Sequence, residues 1–168
     1  MNKAKAATGT VVFFAVAPGV VAGLVPWLLT RWDVGLDFPI WVRFIGGLMA
    51  AVGFIILLNT FIRFVTEGGG TPAPVAPTEH LVVGGLYRFV RNPMYLAVVA
   101  TILGQGLLLG RLVLLMYGAL VWAVVALFVR FYEEPVLRGQ FGVEYETYRR
   151  SVPGWLPRLK PWHPDNEI

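Results

Sequence analysis

The sequence predicts an all-α protein: a polytopic membrane helical bundle of about four transmembrane helices, with a C-terminal helical hairpin and a cytosolic amphipathic tail. Hydrophobic residues make up 57% of the 168 residues and charged residues only 14%, whereas soluble domains average about 45–50% and about 25%. The charges are unevenly spread, so that long stretches carry none. One soluble core would not bury this much apolar surface, and the composition therefore indicates a bilayer.

The composition limits the kinds of site that this chain can contain. The chain contains no cysteine and two histidines, which rules out a disulfide framework, a cysteine-based zinc site and a thiol nucleophile. We predict no metal centre. The net charge is +4, but the basic residues stand at the ends of apolar segments, as membrane topology requires. We therefore predict no nucleic-acid partner.

The first apolar run, residues 10–29, is long enough to cross a hydrocarbon core of about 30 Å. Lys3 and Lys5 precede it, so a cleaved signal peptide is the competing interpretation, although no convincing small-residue cleavage site follows. Pro18 and Pro26 should kink this helix. Neighbouring helices would then have to bond the carbonyl groups that the prolines leave free.

The second apolar run, residues 44–62, carries small residues at helical spacing, which let helices pack closely. These are Gly46, Gly47, Ala50, Ala51 and Gly53. Residues 67–77 contain three consecutive glycines and three prolines, which do not continue a helix. Because apolar runs resume afterwards, we interpret this segment as a connector and not as a domain boundary.

The last two apolar runs are residues 94–109, which is short for a full span, and residues 112–129. Only Gly110 and Arg111 separate them, which predicts a tight antiparallel hairpin. After it the chain turns polar. Residues 141–150 are typical of a short amphipathic helix, and the prolines that follow exclude regular helix.

We predict a single membrane domain over residues 1–168. Its parts are two scaffold spans (1–65), a cytosolic connector with cofactor motifs (66–93), a transmembrane hairpin (94–130) and a cytosolic cofactor-binding tail (131–168).

The distribution of basic residues predicts the orientation. Four spans would place both termini and the connector on one side of the membrane. Of the 14 Lys and Arg residues, only Arg31, Arg43 and Arg111 fall on the other side. The positive-inside rule therefore makes the N- and C-termini of this multi-pass protein cytosolic. An aromatic belt of Trp27, Trp32 and Trp41 would mark the opposite interface.

Polar clusters at residues 80–87, 91–95 and 130–150 would converge on the cytosolic side. Arg130 and Glu134 stand at i and i+4 and share a helix face. Ionisable groups at a membrane boundary are costly to desolvate and usually have a partner or a ligand. The alternative is a snorkelling Arg130 beside exposed glutamates.

These motifs resemble the isoprenylcysteine carboxyl methyltransferase and phospholipid N-methyltransferase superfamily of integral membrane enzymes. The matching segments are His80-Leu-Val-Val-Gly-Gly-Leu-Tyr87, Arg91-Asn-Pro-Met-Tyr95, Glu133-Glu134-Pro135 and Phe141-Gly-Val-Glu-Tyr145-Glu-Thr-Tyr148-Arg149-Arg150. They occur in the family's order and cover a little over half of the chain. Many members have His where this chain has Asn92, and Asn still offers a donor and an acceptor.

The resemblance implies S-adenosylmethionine as the cofactor, bound at the cytosolic face. The implied cofactor-binding residues are His80, Leu81, Val83, Gly85, Tyr87, Arg91, Asn92, Pro93, Tyr95 and Glu134. Glu134 would face the cationic amino-acid end of the cofactor. The aromatic faces of Tyr87 and Tyr95 would attract its sulfonium.

The implied acceptor is a lipophilic small molecule or a lipid, reached from the surrounding membrane lipids. We assign catalytic roles to Arg130 and Glu133, and substrate binding to Arg130, Tyr148 and Arg149. A carboxylate acceptor would need only a cation such as Arg130 to orient it. An amine acceptor must first lose a proton, which would give Glu133 a general-base role. The motifs do not distinguish these acceptors, and both hypotheses stay open.

Two other functions remain as alternatives. A membrane-embedded, NADPH-dependent sterol-type reductase resembles the C-terminal region, but such enzymes usually have more spans. A four-helix transporter or scaffold would predict ionisable residues near the middle of the membrane. Among the strongly polar residues, only Asn59 and Gln105 stand within the apolar runs.

Overall fold

The computed structural model of the protein describes residues 16–66 and 80–163. The start of the first apolar run with Lys3 and Lys5, the glycine- and proline-rich connector, and residues 164–168 lie outside the described residues. Within them the chain forms helices joined by turns and contains no strand. The all-α prediction is confirmed for this part of the chain.

Five helices organise the described residues. They are α1 (Val16–Thr30), α2 (Ile40–Thr66), α3 (Pro93–Leu109), α4 (Leu112–Phe141) and α5 (Val143–Ser151). In the described ranges, two of them are long and apolar enough to cross a membrane, α2 through Ile40–Arg63 and α4. The apolar helices α1 and α3 are shorter, so the count of four spans stays a prediction.

The closest helix packing is between α2 and α3. A Cβ atom added to Gly46 would lie 2.5 Å from the backbone nitrogen of Leu108, and one added to Gly104 would lie 2.5 Å from the backbone nitrogen of Ala50. Gly53 likewise faces the carbonyl of Ala97. The two backbones therefore touch directly, as the small residues of the second apolar run predict.

Helix α1 is irregular where proline removes a backbone donor. Its hydrogen bonding widens to a π-helical turn over Val20–Leu24, immediately before Pro26. Pro26 has no N–H to donate to the carbonyl of Ala22 four residues earlier. That carbonyl instead accepts a hydrogen bond of 2.7 Å from the amide Nε2 of Gln105 on α3. The prediction that a neighbouring helix bonds the freed carbonyl is confirmed.

Two further bonds hold this part of the bundle together. The hydroxyl of Tyr117 on α4 donates to the carbonyl of Val21 at 2.9 Å. The indole Nε1 of Trp32 donates to the amide oxygen of Gln105 at 3.1 Å. Gln105 therefore links α1, α3 and the loop that follows α1. The second polar candidate, Asn59, is exposed on α2.

The predicted hairpin between α3 and α4 turns at Gly110, whose φ of +64° is in the left-handed region that favours glycine. The backbone N–H groups of Gly35 and Leu36 donate to the carbonyls of Leu109 and Gly110 at 2.8 and 2.9 Å. Glycine is required here for a second reason, because a Cβ atom on Gly110 would collide with the carbonyl of Leu36.

Helix α4 extends past the end of the fourth apolar run. It continues through a π-helical turn, Val129–Glu133, to Phe141. The boundary drawn between residues 130 and 131 therefore falls within a continuous helix. The short amphipathic helix predicted over residues 141–150 is present as α5, with its bounds one to two residues later. Gly142, with a φ of +54°, separates it from Phe141 at the end of α4.

Candidate functional site

The predicted polar clusters meet at one end of the bundle. Four segments contribute: the loop of residues 80–92, the first turn of α3, the C-terminal part of α4, and α5. A fifth segment, residues 152–163, follows α5 and is called the C-terminal strap below. Pro93 opens α3, a position that suits proline because the first turn of a helix has no intrahelical partner for its N–H.

The centre of this end is the carboxylate of Glu134, whose side chain is only 9% exposed. Three guanidinium groups surround it: Arg91 at 2.8 Å, Arg149 at 3.4 Å and Arg130 at 3.5 Å. The i,i+4 pair predicted from the sequence is present, but it is the longest of the three. The exposed-glutamate alternative is therefore wrong for Glu134, since a buried carboxylate with these partners is an organised ion cluster.

Glu133 has a different partner from its neighbour. Its carboxylate accepts a hydrogen bond of 3.1 Å from the hydroxyl of Tyr95, in the first turn of α3. The π-helical turn of α4 thus presents two adjacent carboxylates, one to a tyrosine and one to arginines. With Glu146, which pairs with Arg149 and Arg138, the cluster contains four guanidinium groups and three carboxylates. The cluster carries one excess positive charge.

Arg91 and Asn92 bind the C-terminal strap. The backbone N–H and the Nε of Arg91 donate to the carbonyls of Pro153 and Val152, each at 2.9 Å. The amide nitrogen of Asn92 donates to the carbonyl of Gly154 at 3.1 Å, and Asn92 is buried. One arginine therefore holds the strap with its Nε and backbone, and the Glu134 carboxylate with its Nη1.

A small apolar core supports the cluster from the side of α5. Tyr145, Tyr148, Val152 and Trp162 are buried together, and Leu81 and Val83 pack against them. The hydroxyl of Tyr148 donates to the carbonyl of Tyr87 at 2.7 Å. Burial raises the pKa of that hydroxyl, although Arg91 opposes the shift. Tyr148 therefore remains a neutral donor at physiological pH.

Tyr145 connects this core to the ion cluster. Its hydroxyl accepts a hydrogen bond of 3.1 Å from Nη1 of Arg91. Burial raises the pKa of the Tyr145 hydroxyl and Arg91 opposes that shift. The sequence motif contains Tyr145, but the sequence alone does not assign it a role. The one available signal is its position three residues before Tyr148, on the same face of α5.

Gly85 is constrained by a residue that sequence reasoning missed. Its φ of +56° is in the left-handed region, and the guanidinium of Arg63 lies directly against its Cα. A side chain at this position would collide with that guanidinium. The end of α2 therefore packs on the loop of residues 80–92. His80 lies at the start of this loop and is exposed.

The structure thus divides the predicted site residues into three groups. The ion cluster and its immediate partners contain Arg91, Tyr95, Arg130, Glu133, Glu134 and Arg149. The apolar core and the loop beside it contain Leu81, Val83, Gly85, Tyr87 and Tyr148. Asn92 and Pro93 form the start of α3, and His80 is exposed at the start of the loop of residues 80–92. No group of three His, Asp or Glu residues suited to a metal ion occurs within residues 16–66 and 80–163.

These features define a class: a helical membrane protein whose charged and aromatic residues form one site at the end of an apolar bundle. The phospholipid methyltransferase family matches residues 41–144, more than half of the sequence, and the chain belongs to that family. The matched range includes α3, the ion-pairing part of α4 and nearly all of α2. It also agrees with the resemblance drawn from the motifs.

A relative of this chain matches the isoprenylcysteine methyltransferase part of that resemblance. The protein-S-isoprenylcysteine O-methyltransferase of Schizosaccharomyces pombe (strain 972 / ATCC 24843) is 36% identical over 83 residues. The aligned region covers 48% of this chain and 35% of the relative. The chain therefore matches about a third of that protein's length. No solved structure matches this chain. The matches give no support to the reductase or transporter alternatives.

Proposed function

We propose that the protein is an integral membrane methyltransferase that transfers a methyl group from S-adenosylmethionine to a lipophilic acceptor with an anionic group. Family membership supports the reaction class. The observation that carries the choice of acceptor is the excess of positive charge around Glu134, where four arginines face three carboxylates. A site with this balance stabilises an anion better than a free ammonium.

The cofactor fits this end of the bundle by its chemistry. Its amino-acid end carries a carboxylate, which the arginines complement, and an ammonium, which Glu133 or Glu134 complements. Glu134 already contacts three guanidinium groups, so we assign the ammonium to Glu133 in preference to Glu134. Tyr87 and Tyr95 remain candidates for the sulfonium by the family resemblance. S-adenosylmethionine, when bound, supplies an activated methyl group on that sulfonium.

The protein's own contribution to methyl transfer is orientation and exclusion of water. Arg130 is the most exposed of the three arginines, with 65% of its side chain accessible. It is therefore the one best placed to orient an incoming carboxylate without giving it a proton. Arg91 and Glu134 are largely buried, and Arg91 is hydrogen-bonded to the strap and to Tyr145 of the apolar core.

An amine acceptor is the second candidate. In this case Glu133, next to the hydroxyl of Tyr95, would accept the proton that an ammonium must lose, and the ammonium of the cofactor would face Glu134 instead. The named relative acts on isoprenylcysteine and the family's description refers to phospholipids. The two acceptor classes therefore correspond to the two candidate chemistries of the site.

The test is methyl transfer from labelled S-adenosylmethionine in nanodiscs. Prenylcysteine, phosphatidylethanolamine and a small lipophilic thiol are offered separately. We expect label on the prenylcysteine carboxylate, and Arg130→Met should reduce it more than Arg130→Lys. Label on phosphatidylethanolamine alone would show that the acceptor is an amine and not an anionic group. Label on none of them, although calorimetry detects S-adenosylmethionine binding, would refute both acceptor assignments.

Cofactor binding is tested separately. We expect Glu133→Gln to weaken S-adenosylmethionine binding in calorimetry more than Ser151→Cys, a substitution outside the ion cluster. NADPH should not compete. Equal affinities in folded Glu133→Gln and parent protein would contradict the assignment. The Ser151→Cys variant also tests orientation, because an impermeant thiol reagent should not label it in intact cells.

A further inference from the structure

The outer surface of the C-terminal strap exposes large apolar side chains. Leu156 and Leu159 are 80% and 98% exposed. The strap is not a loose tail, because the backbone N–H groups of Arg158 and Trp162 donate to the carbonyls of Phe89 and Arg88, each at 2.9 Å. The two leucines are therefore held outward by a fixed backbone. Exposed apolar side chains on a fixed segment mark a contact surface.

The position of Trp155 indicates what this surface contacts. Its ring packs edge to face on Trp122, with the ring centroids 6.1 Å apart. Trp122 belongs to the apolar part of α4, about 10 Å before Val129 along the helix axis. If α4 crosses the bilayer, the ring of Trp155 lies on the apolar side of the boundary at which the polar part of α4 begins. Tryptophan is enriched at that boundary because its ring is apolar and its N–H is polar.

The charged residues nearest to the leucines in the sequence are basic. Between Thr147 and His163 the sequence contains no Asp or Glu. Its basic residues there are Arg149, Arg150, Arg158 and Lys160. Arg149 pairs with Glu134 and Glu146, whereas Arg158 and Lys160 directly flank Leu159 in the sequence. Basic residues next to exposed leucines suit a surface that is apolar inside and anionic outside, such as a leaflet with anionic lipids.

We propose that residues 155–160 insert into the anionic headgroup region of the membrane that holds the helices. The strap then acts as a peripheral anchor beside α4. It is also hydrogen-bonded to Arg91 and Asn92. Anchoring by anionic lipid therefore orders the arginine that holds Glu134. This inference concerns the lipid surface and does not depend on the reaction proposed above.

The experiment uses the absence of natural cysteines. A nitroxide is attached to Leu159→Cys, with Glu144→Cys, an exposed position at the start of α5, as the control. Both variants are reconstituted in nanodiscs of phosphatidylcholine, with and without phosphatidylglycerol. Collisions with oxygen, which partitions into lipid, and with a water-soluble nickel chelate are measured by electron paramagnetic resonance.

We expect the label at 159 to gain oxygen collisions and lose nickel collisions relative to the label at 144. Phosphatidylglycerol should increase this difference. Lys160→Gln should reduce the increase, by about fivefold in the ratio of membrane-inserted to water-exposed label, since one basic residue near an anionic surface contributes about 1 kcal/mol. Equal accessibilities at 159 and 144 in both lipids would overturn the proposal. So would a label at 159 shielded from both reagents, since that indicates a second protein chain on the strap.

Discussion

Gln105 provides the sharpest test of how the bundle is held together. Its Nε2 donates to the carbonyl of Ala22 at 2.7 Å, and its amide oxygen accepts from Trp32 at 3.1 Å. In Gln105→Leu the bond to α1 and the bond to the loop that follows it are both lost. The carbonyl of Ala22 then has neither the side-chain donor nor a backbone donor, because Pro26 lacks an N–H. We expect this variant to be destabilised at the contact between α1 and α3.

The magnitude follows from two estimates. A buried polar group left without a partner costs about 1–3 kcal/mol. Single interhelical hydrogen bonds in a bilayer average about 0.6 kcal/mol, with a maximum of about 1.7. Two hydrogen bonds are lost here. We therefore expect a loss of about 1–3 kcal/mol in the free energy of unfolding.

The measurement is reversible unfolding in mixed micelles titrated with dodecyl sulfate. Tyr117→Phe is the matched control, because it removes one hydroxyl bond to the carbonyl of Val21 and no other group. Pro26→Ala is the rescue variant, because alanine supplies the missing N–H to the carbonyl of Ala22. The cost of Gln105→Leu should therefore be smaller in the Pro26→Ala background than in the parent.

The four proteins form a double-mutant cycle, and its result is the coupling energy between Gln105 and Pro26. Pro26 is fully buried, so Pro26→Ala alone leaves a cavity and its own effect on stability carries no information. If the two substitutions add within about 0.3–0.5 kcal/mol, the sites act independently. In that case Gln105 does not compensate for the proline, and the explanation of the α1 break is refuted.

Two further predictions concern the α2–α3 contact and the ion cluster. Gly104→Ala should lower the free energy of unfolding by about 1–3 kcal/mol, because its Cβ would meet backbone atoms of α2. Gly47→Ala should be neutral or stabilising. Equal effects of the two substitutions would contradict the close contact between α2 and α3. Arg91→Met should lower the free energy of unfolding by about 3 kcal/mol, since it removes the nearest cation from the buried carboxylate of Glu134. Arg130→Met changes an exposed and longer ion pair and should lower the free energy of unfolding by less than about 1 kcal/mol. If Arg130→Met destabilised the protein more than Arg91→Met in thermal unfolding, Arg130 would be the main partner of Glu134.

Local patterns in the sequence predict much of the fold. The apolar runs locate α2, α3 and most of α4, and the small residues beginning with Gly46 predict the face that meets α3. The pair Gly110 and Arg111 predicts the hairpin. These features depend on periodicity, helix breakers and side-chain size, all of which act over one or two helical turns. They are therefore readable without knowledge of the tertiary structure.

Helix ends are predicted less well, because they also depend on contacts with segments that are distant in the sequence. The polar stretch after Val129 suggests that the helix ends there, yet α4 continues to Phe141. A π-helical turn lets the chain pass Pro135 without a break, and the turn is stabilised by partners on other helices, such as Tyr95 with Glu133. Composition alone indicates a change of environment, not the end of a helix.

The site illustrates the same division. Sequence order and motifs determined the set of charged and aromatic residues, and the i,i+4 rule determined the contact of Arg130 with Glu134. Only the tertiary structure decided that Arg91, 43 residues away along the chain, is the nearest partner of that carboxylate. It alone decided that the strap lies on Asn92. Ion pairs and backbone bonds between distant segments depend on the folded distances, and a one-dimensional pattern contains no such distances.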